Sequence, residues 1–337
     1  KITTVPDNQL AANPVRTVGQ DIWNCSFSST GASVLAPQLT TPIVGTGVGY
    51  SQATGNLLIT TGTTTNAEFL TRSTVAWRSS MRHRAAIVAS QRIANQNLAF
   101  ILGDLVAEGA DIIDIGGEST RPGAAPVSIQ EELARILPVI VALRDSGAAI
   151  SVDTCKPEVM QSALEAGADI INDVTGMRAA EAQRIVAAHP SCGVCLMHMQ
   201  GEPRTMQQAP HYQNVVREVK AALVAQAQLL EQRGVKRARI SLDPGLGFGK
   251  TLKHNYQLLQ GLGQLVQSGY PVVLGASRKS MIGGVTEKSV DQRLSGSIAA
   301  ALAGMVRGAA VLRVHDVGAT RDALKVWQSV QEAEDLP

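Results

Sequence analysis

From residue 110 onward the chain alternates short apolar runs with amphipathic segments, and this alternation limits the fold more than any other feature. The segments between the runs, such as residues 129–147 and 215–234, have the apolar periodicity of helices. Seven runs have the length and β-branched composition of strands: Asp111–Gly117, Ala149–Thr154, Asp169–Val174, Val194–Met199, Ile240–Gly245, Val272–Ser277 and Val311–Val317. Strands that are nearly all apolar and are separated by helices predict a parallel sheet covered by helices.

Polar side chains stand at the C-terminal ends of these runs. They are Glu118, Asp153, Asn172, His198, Asp243, Lys279, Arg313 and His315. In a (β/α)₈ barrel that end of the strands is the catalytic face. A doubly wound sheet is the competing architecture, but there the polar residues concentrate at one switch point. Because nearly every strand ends in such a residue, the pattern favours an α/β fold of the (β/α)₈ TIM type.

The barrel needs eight strands, whereas the pattern supplies seven. We predict a helix within Ala85–Gly109, and no strand directly before it. Either Asn56–Gly62 closes the barrel, or the barrel is open and residues 1–80 fold as something else. The second alternative is favoured because the upstream Thr/Gly-rich stretches indicate short antiparallel strands. We therefore expect the first barrel strand to be absent or replaced.

The N-terminal part of the chain has a different composition from the rest. Among the first 80 residues, 32 are Ser, Thr, Asn or Gln, and only seven are charged. We therefore predict an atypical, β-rich N-terminal segment over residues 1–84 and a barrel domain over residues 85–337. The composition of the N-terminal segment is similar to that of phage and viral structural proteins.

The overall composition excludes several classes of protein. A formal net charge of +2 gives no electrostatic argument for binding nucleic acid. No apolar run approaches the roughly 18 residues that a membrane span requires, and the first residues contain no hydrophobic signal core. Four cysteines are too few for a disulfide framework, and Cys192-x-x-Cys195 is interpreted as structural. A reducing, cytoplasmic location is expected.

Eight ordered stretches point to one family. They are IDIGGESTRPGA (113–124), ISVDTCKPEV (150–159), IINDV (170–174), CLMHMQGEPRTMQ (195–207), LDPGLGFGK (242–250), ASRKSMIG (276–283), RLSGSIAAA (293–301) and RVHDV (313–317). Over about residues 98–335 the sequence resembles dihydropteroate synthase of the pterin-binding enzyme family, while residues 1–97 do not match. The resemblance implies a folate-pathway transferase that condenses a pterin methyl diphosphate with p-aminobenzoate and releases pyrophosphate. It also implies Mg²⁺, a homodimer and sensitivity to sulfonamides.

The resemblance also assigns roles to individual residues. Asp153, Asn172 and Asp243 match pterin-binding positions, and carboxylates suit the N–H groups of a pterin edge. The catalytic candidates are Lys279, Arg313 and His315, of which the last two match the positions that bind the leaving diphosphate. The further substrate-binding candidates are Thr120, Arg121, Met197, Phe248 and Ser280.

Other polar residues have simpler interpretations. Lys250 is interpreted as a solvated residue, Asp316 has the alternative of a surface ion pair with Arg313, and His198 is interpreted as structural rather than catalytic.

One family motif is absent. Family members open with a first strand and a loop of the type NVTPDSFSDGG, whose Asn helps to hold magnesium and diphosphate, so the metal ligand here is unknown. Losing this loop predicts a retained pterin pocket with an impaired diphosphate and p-aminobenzoate site. The alternative function is an inactive or non-enzymatic assembly protein with a barrel-derived C-terminal part. A pterin methyltransferase is less favoured, because it has no diphosphate for RVHD and SRKS to bind.

Overall fold

The computed structural model describes residues 104–120, 124–201 and 205–333 with their side chains. It also describes the backbone of five strands at residues 2–3, 22–25, 47–51, 57–60 and 86–92. The chain divides into two compact units, Lys1–Ser79 and Ser80–Pro337.

The first unit contains a small antiparallel sheet. Its described strands are β1 (Ile2–Thr3), β2 (Ile22–Cys25), β3 (Gly47–Ser51) and β4 (Leu57–Thr60), and they lie in the order β1-β2-β3-β4. All three pairings are antiparallel, as the Thr/Gly-rich composition predicts. The suggestion that Asn56–Gly62 closes the barrel is wrong, because β4 pairs with β3 in this separate sheet.

The second unit is built on eight parallel strands. They are β5 (Ala86–Arg92), β6 (Ile112–Gly116), β7 (Ala149–Asp153), β8 (Ile170–Asp173), β9 (Gly193–Met197), β10 (Ile240–Asp243), β11 (Val273–Leu274) and β12 (Val311–Val314). They follow the order β10-β9-β8-β7-β6-β5-β12-β11. A parallel bridge between Leu242 and Val272 joins the two ends of this sheet, and the Leu242 amide donates to the Pro271 carbonyl at 2.9 Å. The barrel is therefore closed, and all seven strands that the sequence predicts are present.

The eighth strand comes from a segment for which we predicted a helix. Within Ala85–Gly109, residues 86–92 form β5, and helix is described only at residues 104–107. Strand β5 pairs with β6 through Val88 and Ile112, and with β12 through Val88 and Arg313. A run as short as AIVASQR does not distinguish a strand from a helix by its periodicity. The long-range pairing decides, because without β5 the edges of β6 and β12 would be left unpaired. The preference for an open barrel is thus wrong, and the first strand is replaced.

Helices follow the strands and cover the barrel. They are α1 (Ile129–Leu143), α2 (Pro157–Glu165), α3 (Ala180–Ala188), α4 (Val215–Gln232), α5 (Leu252–Gln260), α6 (Leu262–Val266), α7 (Ser280–Thr286), α8 (Leu294–Val306) and α9 (Val317–Gln331). The start of α1 is fixed by Ser128, whose side chain accepts from the Glu131 amide at 3.2 Å. Isoleucines of the strands and of α1, including Ile113, Ile150 and Ile136, are fully buried between the two layers. This core holds the C-terminal ends of the strands in a fixed ring.

Within the described part of the chain, no helix has both the length and the apolar character needed to cross a bilayer.

Candidate active site

The centre of the barrel mouth holds an arginine between two carboxylates from neighbouring strands. Arg313 of β12 donates from Nε to Asp114 Oδ2 at 2.8 Å, and its Nη2 lies 3.0 Å from Asp153 Oδ2. Asp114 on β6 and Asp153 on β7 are both buried. Although burial alone lowers the pKa of Arg313, these two carboxylates raise it above its ordinary value. The mouth therefore contains a permanent, oriented positive charge.

Asn172 extends this network to β8. Asn172 lies directly beside Asp153 where β7 and β8 pair. The Asn172 side-chain amide donates to Asp114, with Nδ2 at 3.3 Å from Oδ2 and 3.4 Å from Oδ1. Lateral neighbours in a parallel sheet point to the same face, so the two residues share the barrel interior.

Asp243 and Lys279 occupy the opposite side of the mouth. Asp243 is buried at the end of β10, and its Oδ1 accepts from the Gly245 amide at 2.7 Å. Burial raises the pKa of Asp243, and Lys279 is the strongest influence in the other direction. Burial lowers the pKa of Lys279 to about 8, and Asp243 opposes that shift. A partly desolvated cation and a carboxylate thus face the same space, and each increases the preference of the other for its charged form.

His315 lies one residue beyond β12 and is held by Ser277 in the segment after β11. Its Nδ1 is 3.0 Å from Ser277 Oγ. Burial first, and then Arg278 and Arg313, lower the pKa of His315 to about 4, so the imidazole is neutral near pH 7. It therefore offers one hydrogen-bond donor and one acceptor rather than a second cation.

Asp316 differs from its sequence interpretation. Instead of pairing with Arg313, its carboxylate is bonded by the guanidinium of Arg278 through Nε, at 3.1 Å, and through Nη2. Arg313 points into the barrel and Asp316 precedes α9, so the two cannot form a surface pair. The Arg278–Asp316 pair joins the SRKS and RVHD segments, which carry Lys279 and His315.

An apolar cluster forms one wall of the site. Met197 at the end of β9 is buried with three other apolar side chains, namely Val174, Met199 and Met206. Phe248 packs against this cluster. The Nζ atom of Lys279 lies 5.1 Å from the centroid of the Phe248 ring, which is within the range of a cation–π contact. The wall thus places thioether side chains and one aromatic ring beside Lys279.

The remaining candidates lie at the edge of the site. Ser280 begins α7 and is exposed, and Thr120 is partly buried in the segment after β6. Arg121 lies outside the described residues. Glu118 is directed away from the central network, because its carboxylate pairs with Lys156 at 2.8 Å.

Two residues that the sequence interpretation missed are central to the geometry. Asp114 is the only charged residue within the apolar strand β6, and that interruption was the available signal. Lys250, interpreted as solvated, is instead 3% exposed. Its Nζ contacts the carbonyls of Phe248 and His198. The backbone of LDPGLGFGK turns so that the Lys250 side chain is buried. The periodicity of apolar residues does not predict such a turn.

Comparisons with known proteins point to one family. The family model for pterin binding enzymes matches residues 91–315. The dihydropteroate synthase of Haemophilus influenzae is 51% identical over 235 residues, which cover 69% of this chain and 85% of the relative. A crystal structure of the Burkholderia cenocepacia enzyme complexed with 7,8-dihydropteroate has a TM-score of 0.70 and 45% identity, and covers 75% of this chain and 93% of its own. The Yersinia pestis enzyme with a sulfonamide drug complex has a TM-score of 0.71 and 36% identity, with coverage of 74% and 95%.

The closed barrel with its polar mouth and the matching family model define the class of protein: the chain belongs to the pterin-binding enzyme family. Within that family its activity is that of a dihydropteroate synthase-type transferase of folate biosynthesis, and its substrates are small molecules. No comparison supports a non-enzymatic assembly role, or the likeness of the N-terminal segment to phage and viral proteins.

Proposed function

We propose that the barrel mouth binds the pterin through Asp153, Asn172 and Asp243, with Phe248 and Met197 against the ring. The observation that supports this proposal is the position of these residues at the ends of four neighbouring barrel strands, β7 to β10, and in the loop after β10. Carboxylates and an amide oxygen accept from the N–H groups of the pterin, and bidentate geometry makes such bonds selective. The Burkholderia cenocepacia enzyme, which binds 7,8-dihydropteroate, has the same fold.

Arg313 and His315 act on the diphosphate end, while Lys279 reaches across the pterin ring beside Phe248 and Asp243. The amine of p-aminobenzoate attacks the methylene carbon of the pterin, the C–O bond to the diphosphate breaks, and the amine loses one proton. Negative charge therefore grows on the departing pyrophosphate. Arg313 stays positively charged in this reaction because a guanidinium does not lose its proton near neutral pH. Burial lowers its pKa, but Asp114 and Asp153 raise it further, so the charge is in place before the bond breaks. On the family resemblance, Thr120 and Arg121 would help to organise the substrates, and Ser280 would lie near p-aminobenzoate.

Magnesium belongs to the substrate side of the site. Among the described residues no group of three or more His, Cys, Asp or Glu side chains is placed to hold a metal ion. Two of the carboxylates in the mouth are already bonded by Arg313. Mg²⁺ commonly keeps several waters and is held by substrate phosphates with one or two carboxylates. We propose that Mg²⁺ would be held mainly by the phosphate oxygens of the substrate, where it would neutralise part of their charge.

A second copy of the chain is the proposed partner. Helices α8 and α9 expose apolar side chains to solvent, with Val306 60% and Val326 66% accessible. Burial of such residues against another copy is favourable. Sedimentation of the wild type and of Val306→Asp tests this, and the variant is expected to sediment as the smaller species.

The remaining proposals concern location, inhibition and the N-terminal segment. Cys155, Cys192 and Cys195 are free thiols, which suits a reducing, cytoplasmic location. Sulfonamides should compete with p-aminobenzoate, since the Yersinia pestis enzyme binds such a drug.

The family match begins at residue 91. We therefore assign residues 1–84 to a segment that takes no part in the reaction, and residues 85–337 to the barrel domain.

Pyrophosphate release tests the function directly. The protein is mixed with pterin methyl diphosphate, p-aminobenzoate and Mg²⁺, and pyrophosphate and dihydropteroate are measured together. Equal amounts of both products are expected. Arg313→Met should reduce turnover by about 10²-fold, because it removes a charge placed at the leaving group. Arg307→Met, on an exposed arginine, is the matched control and should leave turnover unchanged. Pyrophosphate without dihydropteroate would mean hydrolysis and would contradict the proposal.

A further inference from the structure

Lys250 is a buried amine that no step of the proposed mechanism uses. Only 3% of its surface is exposed. Its Nζ lies 2.8 Å from the Phe248 carbonyl oxygen and 3.2 Å from the His198 carbonyl oxygen. It also lies 3.1 Å from His198 Nδ1. An ammonium group has three protons to donate, and these three acceptors satisfy them. The site is therefore built for this group and is not an accident of packing.

The acceptors belong to two segments that cross each other closely. The first is the glycine loop, which we define as residues 244–250 after β10, and the second is the end of β9 at His198. Gly245 has φ +65°, and a Cβ built on it would lie 2.0 Å from the His198 carbonyl oxygen. Such an approach requires glycine. Lys250 bonds one carbonyl from each segment and so ties the glycine loop to the end of β9.

Other side chains hold three further carbonyls of the glycine loop. Tyr212 Oη donates to the Gly249 carbonyl at 2.9 Å, and Gln207 Nε2 donates to the Gly247 carbonyl at 2.6 Å. Lys279 donates to the Leu246 carbonyl. The bond from Lys250 falls on Phe248 itself, the one residue of the loop whose ring faces Lys279 and the apolar wall. Among these bonds it has the most direct control over where that ring lies.

The electrostatics support this assignment. Burial first, and then Lys250 and Arg178, lower the pKa of His198 to about 3, so its imidazole is neutral and Nδ1 can accept. Burial lowers the pKa of Lys250 itself to about 7, while Asp243 acts to raise it. Near pH 7 the amine is thus divided between its ammonium and neutral forms, and both forms can donate to the carbonyls of Phe248 and His198.

We propose that Lys250 is a positioning residue that acts through Phe248. By tying the Phe248 carbonyl to the end of β9, it sets the distance between the aromatic ring and the pterin, and so determines pterin affinity. This inference rests on the proposed pterin pocket. It predicts that Lys250 affects pterin binding and leaves p-aminobenzoate binding alone, because its contacts lie on the pterin side of the mouth.

The test is a double-mutant cycle with Lys250→Met and Phe248→Ala. Titration calorimetry gives the dissociation constant for pterin methyl diphosphate, and initial rates give kcat and both KM values. Lys250→Met should weaken pterin binding by about tenfold, which corresponds to ~1.4 kcal/mol. The p-aminobenzoate KM should stay within about twofold of the wild type, which is well under ~1 kcal/mol. In the Phe248→Ala background the same substitution should have no further effect, since the ring that it positions is gone.

Controls separate this role from a general loss of stability. Lys253→Met removes an exposed lysine three residues away on α5 and should match the wild type in every measurement. If Lys250→Met fails to unfold cooperatively, Lys250→Gln is measured in its place, because it retains a donor and fills the site. A folded variant with unchanged pterin affinity would overturn the proposal, and so would additive effects in the cycle. A wild type that binds no pterin would instead refute the proposed pocket.

Discussion

Arg313 and Asp114 form an ion pair across the first strand of the barrel, with Nη2 and Oδ2 2.7 Å apart, although 199 residues separate them in sequence. Asp114 is 1% exposed, so the ion pair is shielded from solvent on its acidic side. The pair connects β6 to β12, the two strands between which β5 lies. It therefore links the closure of the barrel to the positive charge in the barrel mouth.

Replacing Asp114 with Asn should affect both stability and catalysis. The substitution keeps the shape of the side chain but removes the buried negative charge, and breaking a buried pair costs about 3–5 kcal/mol. Arg313 then turns towards Asp153, its other partner, and a misplaced cation lowers kcat/KM by about 10²-fold. Urea unfolding and initial rates measure the two effects.

The control for this variant is Asp145→Asn. Asp145 is 87% exposed and lies beside Arg144, so its loss should change the free energy of unfolding by less than about 0.5 kcal/mol. Equal behaviour of the two variants would show that the Asp114–Arg313 pair contributes nothing beyond a surface ion pair.

The strand ends could be predicted from sequence because parallel strands bring their C-terminal ends together. For this reason Asp153, Asn172 and Asp243 lie at the same rim of the barrel. Strand β5 could not be predicted, because its identity depends on pairing with strands 24 and 225 residues away, at Ile112 and Leu312–Arg313. A local window contains no information about such partners.

The burial of Lys250 was also outside the reach of sequence patterns. It depends on a turn made by three glycines with positive φ, at residues 245, 247 and 249. Glycine permits that turn without dictating it. The sequence therefore predicts which residues border the site, whereas the contacts within it require coordinates.

The pH dependence of the rate should report Lys279. Its pKa is lowered to about 8, so the ammonium group is lost as the pH rises through that value. If the cation is needed for turnover, kcat/KM falls above pH 8. In Lys279→Arg the charge persists, and the descending limb should move to higher pH. His315, with a pKa of about 4, should contribute no change between pH 6 and 8. The test is to measure kcat/KM of the wild type and of Lys279→Arg from pH 6 to about pH 10. Descending limbs at the same pH in the two proteins would contradict the role of Lys279.

The same lysine should appear in the pH dependence of stability. Between pH 8 and 10.5 the unfolded chain holds the Lys279 proton whereas the folded chain has released it. The unfolded state then binds more protons, so the free energy of unfolding rises with pH in this window. In Lys279→Met, the part of this increase in unfolding free energy that Lys279 causes should be absent. The part that Lys250 causes should remain, because the pKa of Lys250 is lowered to about 7. Urea unfolding at several pH values measures the difference, and parallel curves for the two proteins would be inconsistent with it.

Gly245→Ala should be far more destabilising than a typical substitution at positive φ. The new Cβ would lie 2.0 Å from the His198 carbonyl oxygen, so the glycine loop has to move. Gly147 is the matched control, because it has φ +90° with nothing within 4 Å of a built Cβ. Gly147→Ala should cost only the backbone strain, about 1–2 kcal/mol, whereas Gly245→Ala should exceed it by several-fold. Equal losses of unfolding free energy in the two variants would show that the glycine loop accommodates the new Cβ without added cost.

Truncation tests the role of β5 in closing the barrel. All eight barrel strands lie between residues 86 and 314, and the second compact unit begins at Ser80. A chain that starts at Ser80 should therefore retain cooperative unfolding and turnover, because no strand of the barrel is removed. A chain that starts at Asn95 lacks β5, which leaves unpaired edges on β6 and β12. Exposed edges promote association between chains, so the shorter protein should aggregate. Light scattering and circular dichroism compare the two, and a monomeric, active chain from Asn95 would show that another segment can close the barrel.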